Sequence, residues 1–505
     1  MTRWPALPLP VVLLGIAALM MYVPALHGVV VRQHAVARAF FYSGTLVLAF
    51  ALLLGIVTQG FRPRNPARSH LRALVLAYLM LPPVMALPFA VAVPDTSFFN
   101  AWFEMVSSFT TTGATLYDTP GRLPPSVHLW RGLVGWAGGF FTLVAAAAIL
   151  APQNLGGFEV FAPASLGRIR LEPGQTGAST DPAQRLLHQA KLVFPVYAGL
   201  TIAVWIALSV AGDPALVAVM HAMAVLATSG ISPLTGLPAA PSGVAGEAVL
   251  ALALGVALTR RLLPGAPYSE ARGPLWRDPE LRVAALFLVA VPGALFLRHW
   301  IGAIESDLPA SLAGGLSALW GALFTVLSFL TTTGFESQGW TDARVWSGLQ
   351  APGLLLLGLV MMGGGVATTA GGVKLLRVYA LYSLGRHEMG RLSDPSSVGG
   401  GGPAARQMRG EGAFIAFVFF MLFALSLGAA NLGLAALGLP FERAVVLSVA
   451  ALTTTGPLAG VTQLADGGWI GLGDGAKAVL AACMVLGRLE TLALLAFLLP
   501  AAWRR

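Results

Sequence analysis

Four short phrases place hydroxyl-bearing residues beside a glycine: Thr110-Thr111-Thr112-Gly113, Ala227-Thr228-Ser229-Gly230, Thr331-Thr332-Thr333-Gly334 and Thr453-Thr454-Thr455-Gly456. Their glycines stand about 117, 104 and 122 residues apart. The chemistry such a phrase can do is coordination. Main-chain carbonyls replace the water of a desolvated cation when consecutive ones turn toward a common axis. Glycine permits the positive φ that such a turn often needs. The Thr and Ser hydroxyls hold the loop by bonding neighbouring backbone groups. Four loops would supply several stacked rings of four carbonyls, a cage suited to a large, weakly hydrated potassium ion. No Asp or Glu belongs to any of the phrases, which disfavours a calcium or magnesium site. One Thr-Thr-Thr-Gly alone is an ordinary turn in apolar sequence. Four, in register with the same flanking pattern, suggest four units around one axis.

The elements that must position these loops follow from composition. Of 505 residues, 56% are hydrophobic and 10% charged, with mean hydropathy +0.76. Soluble domains carry roughly 25% charged residues, so the bilayer must serve as solvent. The first apolar stretch, Leu9 to about Val31, is too long for a signal-peptide core and lacks a small-residue cleavage site; it reads as a retained span. Spans need about 20 apolar residues, and the chain offers two at 9–31 and 39–59. Each later unit reads span, short helix, loop, span: 70–92, 97–109 and 128–151; 188–210, 215–227 and 243–262; 280–298, 315–330 and 348–382; 412–435, 441–452 and 476–499. The expected fold is an all-α polytopic membrane protein with ten spans, four re-entrant helices and both termini cytoplasmic. Its expected divisions are two N-terminal helices in 1–62 and pore repeats in 63–165, 166–270, 271–395 and 396–505. The short helices, about 13 residues or roughly 20 Å long, cannot cross. Asp95 with Thr96 and Ser97, Asp213 before Pro214, and Pro440 before Glu442 mark their starts. Their C-terminal dipole ends face the loops and favour a cation there.

The net charge of +9 does not point to nucleic acid. About 22 of the 31 Lys and Arg lie at the N-terminus, in alternate loops near 60–72, 154–191, 259–282 and 374–410, and at Arg504-Arg505, as the positive-inside rule requires. Arg32 and Arg38 flank a turn placed outside and are the exception. The single cysteine, Cys483, excludes a disulfide within the chain. The eight histidines show no metal spacing, and His221 reads as packed. A membrane-embedded transferase would need clustered carboxylates or a metal pair, and none is evident, so the chain does not read as an enzyme. Glu104, Glu336 and Glu442 lie near the outer side of the loops, where acids concentrate cations; Glu104 reads equally well as an anchor for its helix.

A second candidate region is Gly363 to Lys374, which interrupts the second span of the third unit. Its glycines, Gly363, Gly364, Gly371 and Gly372 among them, break a helix. Broken backbone at membrane depth belongs where it lines a cavity or is buried in protein. A phosphate-binding loop does not fit, because no Ser or Thr follows Lys374; a glycine-rich packing face is the structural alternative. Arg488 is an intramembrane charge and hence a functional candidate. Set beneath the loops, it would oppose resting cations and hold the interruption through carbonyl hydrogen bonds, unless it merely pairs with a carboxylate such as Glu490. The Gly-rich stretch Gly399–Pro403 reads as a flexible linker.

Over essentially its whole length the chain resembles the pore subunits of the Trk/Ktr/HKT superfamily of potassium transporters, on the TrkH/TrkG branch. The likeness is carried by Trp102-Phe103-Glu104 through Thr115, Leu129-Trp130-Arg131 through Gly138-Gly139, Met362-Gly363 through Lys374, and Gly487-Arg488-Leu489-Glu490. The two additional N-terminal spans favour Trk over Ktr. The resemblance implies potassium uptake through a filter of Thr110, Thr111, Thr112, Gly113, Thr228, Ser229, Gly230, Thr332, Thr333, Gly334, Thr454, Thr455 and Gly456. It implies an intramembrane gating loop at 363–374 acting with Arg488. It also implies a homodimer with one pore per protomer in the cytoplasmic membrane, potassium as transported ion, and no covalent cofactor. A cytoplasmic ring of TrkA-type nucleotide-binding subunits is implied as partner; no segment here reads as such a domain. Glycine at the first-unit position goes with potassium in the superfamily and serine with sodium, so Gly113 implies potassium. Ser229, Thr454 and Thr455 depart from the usual pattern, as do Ala367 and Thr368 in place of Gly-Ser. A sodium-permeable or proton/sodium-coupled transporter of the same build is the alternative.

Overall fold

Uninterrupted apolar runs in this sequence become helices, because a helix satisfies its backbone internally. The computed structural model describes residues 7–59, 66–117, 119–151, 182–264, 274–303, 312–348, 351–393, 411–462 and 467–489, and no strand occurs among them. The linker at 399–403, Glu490 and Arg504-Arg505 lie outside the described residues. Helices α1 (Leu9–Val30) and α2 (His34–Val57) form a hairpin. Small residues let their backbones approach: a Cβ on Gly28 would lie 3.1 Å from that of Ala37, and one on Gly44 3.2 Å from that of Met21. The hairpin packs on the first repeat, where Phe40 meets Trp130 edge-on at 5.6 Å.

Four successive groups of helices follow. The first is α3 (Pro66–Ala92), short α4 (Phe98–Phe109) and α5 (Pro125–Ala145), which runs on through a π-helical turn at Ala146–Leu150. The second is α6 (Pro182–Val210), short α7 (Ala215–Ala227) and α8 (Gly243–Leu254). The third is α9 (Pro279–Ala303), α10 (Leu312–Leu330), α11 (Trp340–Ser347), α12 (Pro352–Met362) and α13 (Leu375–Ser393). The fourth is α14 (Glu411–Ala436), short α15 (Phe441–Leu452) and α16 (Asp474–Leu489). Ser97 caps α4 by accepting from the Asn100 amide, and prolines 214 and 440 stand immediately before α7 and α15.

Seven described helices are long and apolar enough to cross a bilayer: α1, α2, α3, α5, α6, α9 and α14. The protein is an all-α, multi-pass membrane protein. Two of the ten expected spans take another form, and a third lies partly outside the described residues. The run 243–262 is helical only to Leu254 and continues as the 3₁₀ turn Gly255–Ala257. The run 348–382 is split between α12 and α13, with irregular backbone between Met362 and Leu375. The run 476–499 is described as helix to Leu489.

Candidate functional site

Each of the four short helices ends in the same way. The second residue of each phrase is left-handed: Thr111 (φ 56°), Thr228 (50°), Thr332 (58°) and Thr454 (54°). The third residue donates its amide five residues back, Thr112 to Ser107 (2.8 Å), Ser229 to Ala224 (2.9 Å), Thr333 to Ser328 (2.9 Å) and Thr455 to Ala450 (2.8 Å). The second donates three back, to Ser108, Val225, Phe329 and Ala451. This pair of bonds is a Schellman cap. Glycine usually fills its left-handed position, whereas all four residues here are β-branched. Left-handed backbone costs an L-residue roughly 1–2 kcal/mol, so the surroundings must impose it.

The surroundings are the other loops. A Cβ on Gly113 would run into the Ser229 carbonyl, one on Gly230 into the Thr333 carbonyl, and one on Gly456 into Ala114. A Cβ on Gly334 would sit 3.1 Å from Thr455 Cγ2. Loop one therefore abuts loop two, two abuts three, three abuts four, and four returns to one. The last junction carries a direct bond, Gly456 N to Thr112 O at 2.6 Å. The four phrases form a closed ring.

Hydroxyls stiffen three of the loops. Thr110, Thr331 and Thr453 each donate four residues back into their helix, at 2.8, 2.9 and 2.8 Å, and meet Thr112, Thr333 and Thr455 respectively. Ala227 cannot make this pair, and Thr228 bonds the Ala227 carbonyl instead. Thr111 Oγ1 and Thr454 Oγ1 are buried with no hydrogen-bond partner among the described residues.

Outside the ring, buried polar groups brace the outgoing chain. Glu104 is 0% exposed. Its Oε1 accepts from Thr115 Oγ1 (3.0 Å) and the Leu116 amide (2.7 Å), while Oε2 pairs with Arg131 Nε at 2.9 Å. Of its two sequence readings, the anchoring one describes this geometry. His221 Nε2 lies 2.9 Å from Ser232 Oγ, and its Nδ1 lies 3.9 Å from Asp213. Burial alone would raise the Asp213 carboxyl, but the His221 ring and the Ser242 amide outweigh it and hold that carboxyl below its ordinary value. Glu336 is half-buried just past the third loop and Glu442 is exposed; burial raises the Glu336 carboxyl.

Gly363–Lys374 lies against this ring. Gly371 N donates to Thr332 Oγ1 (2.7 Å), and a Cβ on Gly371 would strike Thr453 O and Thr454 Oγ1. Thr369 Oγ1 donates to Leu226 O (3.0 Å). Gly365 N donates to Ala257 O (3.0 Å), and Val366 N to Glu280 Oε1 (2.7 Å). Gly363 and Gly372, both at φ 75°, face each other where the stretch leaves and rejoins helix. Gly364 packs on Ala370 and Ala257, and Lys374 Nζ donates to Ala370 O. Arg488, 7% exposed, donates from Nη1 to Thr369 O (2.6 Å) and from Nε to Thr142 Oγ1 (2.9 Å). The stretch is thus tied to residues of the second, third and fourth helix groups, and through Arg488 to Thr142 of the first.

Sequence reading passed over Glu280 and Glu247. Both are buried acids, and their partners lie about 90 residues away along the chain. Their only signal was an acid near the start of an apolar helix.

Fold and site together define a polytopic membrane protein built from four quasi-equivalent helix–loop–helix repeats whose loops meet. Residues 253–502 match the family model TrkH, described as a cation transport protein. The chain is 30% identical to the Trk system potassium uptake protein TrkI of Halomonas elongata, over 100% of this chain and 98% of that one. It is 29% identical to TrkH of Escherichia coli K12, over 96% of each. The crystal structure of the potassium transporter TrkH from Vibrio parahaemolyticus superposes with a TM-score of 0.78 at 26% identity, covering 98% of both chains. The chain belongs to the TrkH family of cation transport proteins.

Proposed function

We propose that this chain takes up potassium across the cytoplasmic membrane through the ring of four loops, with Gly363–Lys374 and Arg488 as its gate. The observation that carries the reading is the closed ring itself: four left-handed threonines and four abutting phrases. A dehydrated cation needs oxygen atoms on all sides. The ring gathers carbonyls of four loops, and Thr111 and Thr454 add buried hydroxyls with no other partner among the described residues. The C-terminal ends of the short helices add partial negative charge. Gly371, in contact with Thr332, Thr453 and Thr454, stands where an ion leaving the ring would pass. Arg488 adds a positive charge there and holds the stretch by Thr369 O. The names of the relatives, Trk system potassium uptake proteins, support the choice of ion.

In this reading 1–62 is an N-terminal hairpin, and the pore repeats occupy 63–165, 166–270, 271–395 and 396–505. Both termini are cytoplasmic, two copies associate, and a TrkA-type nucleotide-binding subunit acts on the gate from the cytoplasm. The membrane potential drives uptake, at about 2.3 kcal/mol per charge per 100 mV. The test is ion flux into vesicles containing the purified chain, with K⁺ or Na⁺ as sole permeant cation. K⁺ flux well above Na⁺ flux is expected, with the preference reduced in Gly113→Ser. Flux of neither ion even when the gate is released by Arg488→Ala, or a ratio indifferent to Gly113→Ser, overturns the reading.

A further inference from the structure

The brace behind each loop occupies one position of its short helix, nine residues before the loop glycine, and the chemistry there changes from repeat to repeat. The residues are Glu104, His221, Thr325 and Leu447. In the first repeat Glu104 reaches the outgoing segment by Thr115 and Leu116. In the second His221 reaches Ser232. In the third, Thr325 accepts the Ser337 amide, at 3.2 Å. In the fourth, leucine bonds nothing, and the loop is fixed instead by Trp469 Nε1 on Gly456 O (2.8 Å) and by the Gly456–Thr112 bond.

The third repeat nevertheless has a carboxylate at the corresponding place, and it comes from another repeat. Glu247 of α8 is 1% exposed. Its Oε2 accepts from Trp320 Nε1 (2.7 Å) and Ser337 Oγ (2.7 Å), and its Oε1 from the Gln338 amide (2.6 Å). Trp320 is on α10, the helix that leads into the third loop, and Ser337 and Gln338 lie three and four residues past Gly334 on the outgoing segment. One buried acid thus clamps the way in and the way out of that loop. All three donors are neutral, in contrast to the Arg131 that pairs with Glu104. A buried carboxylate is tolerated only when its oxygens are satisfied, so the contacts are mutually enforcing and the loop has little freedom to relax.

We infer that Glu247 is a positioning residue for the third loop, supplying across the repeat boundary the carboxylate that Thr325 does not. The inference rests on reading the ring as the selectivity filter. A site that discriminates between cations must hold its oxygens within about 0.5 Å, so loosening the clamp changes which ion is preferred before it changes whether the protein folds.

The experiment is flux into vesicles of the purified full-length chain, with K⁺ and Na⁺ each as sole permeant cation, and melting temperature recorded on the same preparations. Glu247→Gln keeps the volume but places a donor where acceptors are needed, and is expected to lower the K⁺:Na⁺ flux ratio at least about fivefold. Trp320→Phe and Ser337→Ala each remove one donor and are expected to lower it about twofold; they carry the test should Glu247→Gln fail to purify. Equal loss of both fluxes, or an unchanged ratio in all three variants, overturns the inference. Gly113→Ser is run alongside. If it shifts the ratio while the clamp variants do not, the clamp is wrong and the filter reading stands. If it too has no effect, the filter reading falls with it.

Discussion

The loop ring and the stretch Gly363–Lys374 are both irregular backbone inside apolar sequence, and they are built by opposite means. The ring uses one motif four times. A Schellman cap with a left-handed threonine recurs in each copy, and each loop is held by its neighbours. The stretch has no counterpart among the described residues of the other repeats, and is held by single hydrogen bonds to scattered partners: Leu226, Ala257, Glu280, Thr332 and Arg488. Repetition produces a site whose parts constrain one another, which suits discrimination. A singular element on separate tethers can be released without disturbing that site, which suits gating.

The comparison is broken or sharpened by separating selectivity from throughput. The largest effect is expected at Arg488. Removing its charged bond to Thr369 O removes roughly 1.5–3 kcal/mol that holds the stretch in place, so Arg488→Ala should raise K⁺ flux without a regulatory partner about 10- to 100-fold, with the K⁺:Na⁺ ratio unchanged. A changed ratio would mean that the two regions are not separable. Next is Gly113→Ser, which puts a side chain into the Ser229 carbonyl. It should lower the K⁺:Na⁺ ratio about tenfold while leaving the partner-free leak of Arg488→Ala in place when the two are combined. Glu280→Ala removes a neutral donor's acceptor at Val366 and should raise K⁺ flux about 3- to 10-fold, again without altering the ratio. The smallest effect is on stability. The lowered carboxyl of Asp213 stabilises the fold fully above the ordinary carboxylate pKa, and that contribution is lost as pH falls through the lowered value. The melting temperature should therefore drop on acidification, and Asp213→Asn should flatten that part of the profile. An unchanged profile would remove Asp213 from the braces of the ring.

Much of this was legible because its signals are local. The short helices were read at 215–227 and 441–452 and are found at Ala215–Ala227 and Phe441–Leu452. Each starts beside a proline and ends at its threonine phrase, so both boundaries are written in adjacent residues. The interruption after Met362 was legible for the same reason, from its density of glycine. The shortening of α8 was not. Residues 248–258 are apolar throughout, but Gly365 takes the Ala257 carbonyl for its own amide, a contact that no local pattern announces. Glu104 stood undecided between mouth and anchor because its deciding partner, Arg131, belongs to the next long helix. Glu247 and Glu280 were invisible as contributors for the same reason: their donors come from elsewhere in the chain.

The Gly456–Thr112 bond joins the last repeat to the first. A string of units normally has two ends, each lacking a neighbour, but here every unit is flanked on both sides. Severing the polypeptide between any two of them would leave all four interfaces still available. Two fragments made separately in one cell should reassemble into a working whole, and a permuted chain that begins at the second unit should behave as the original does.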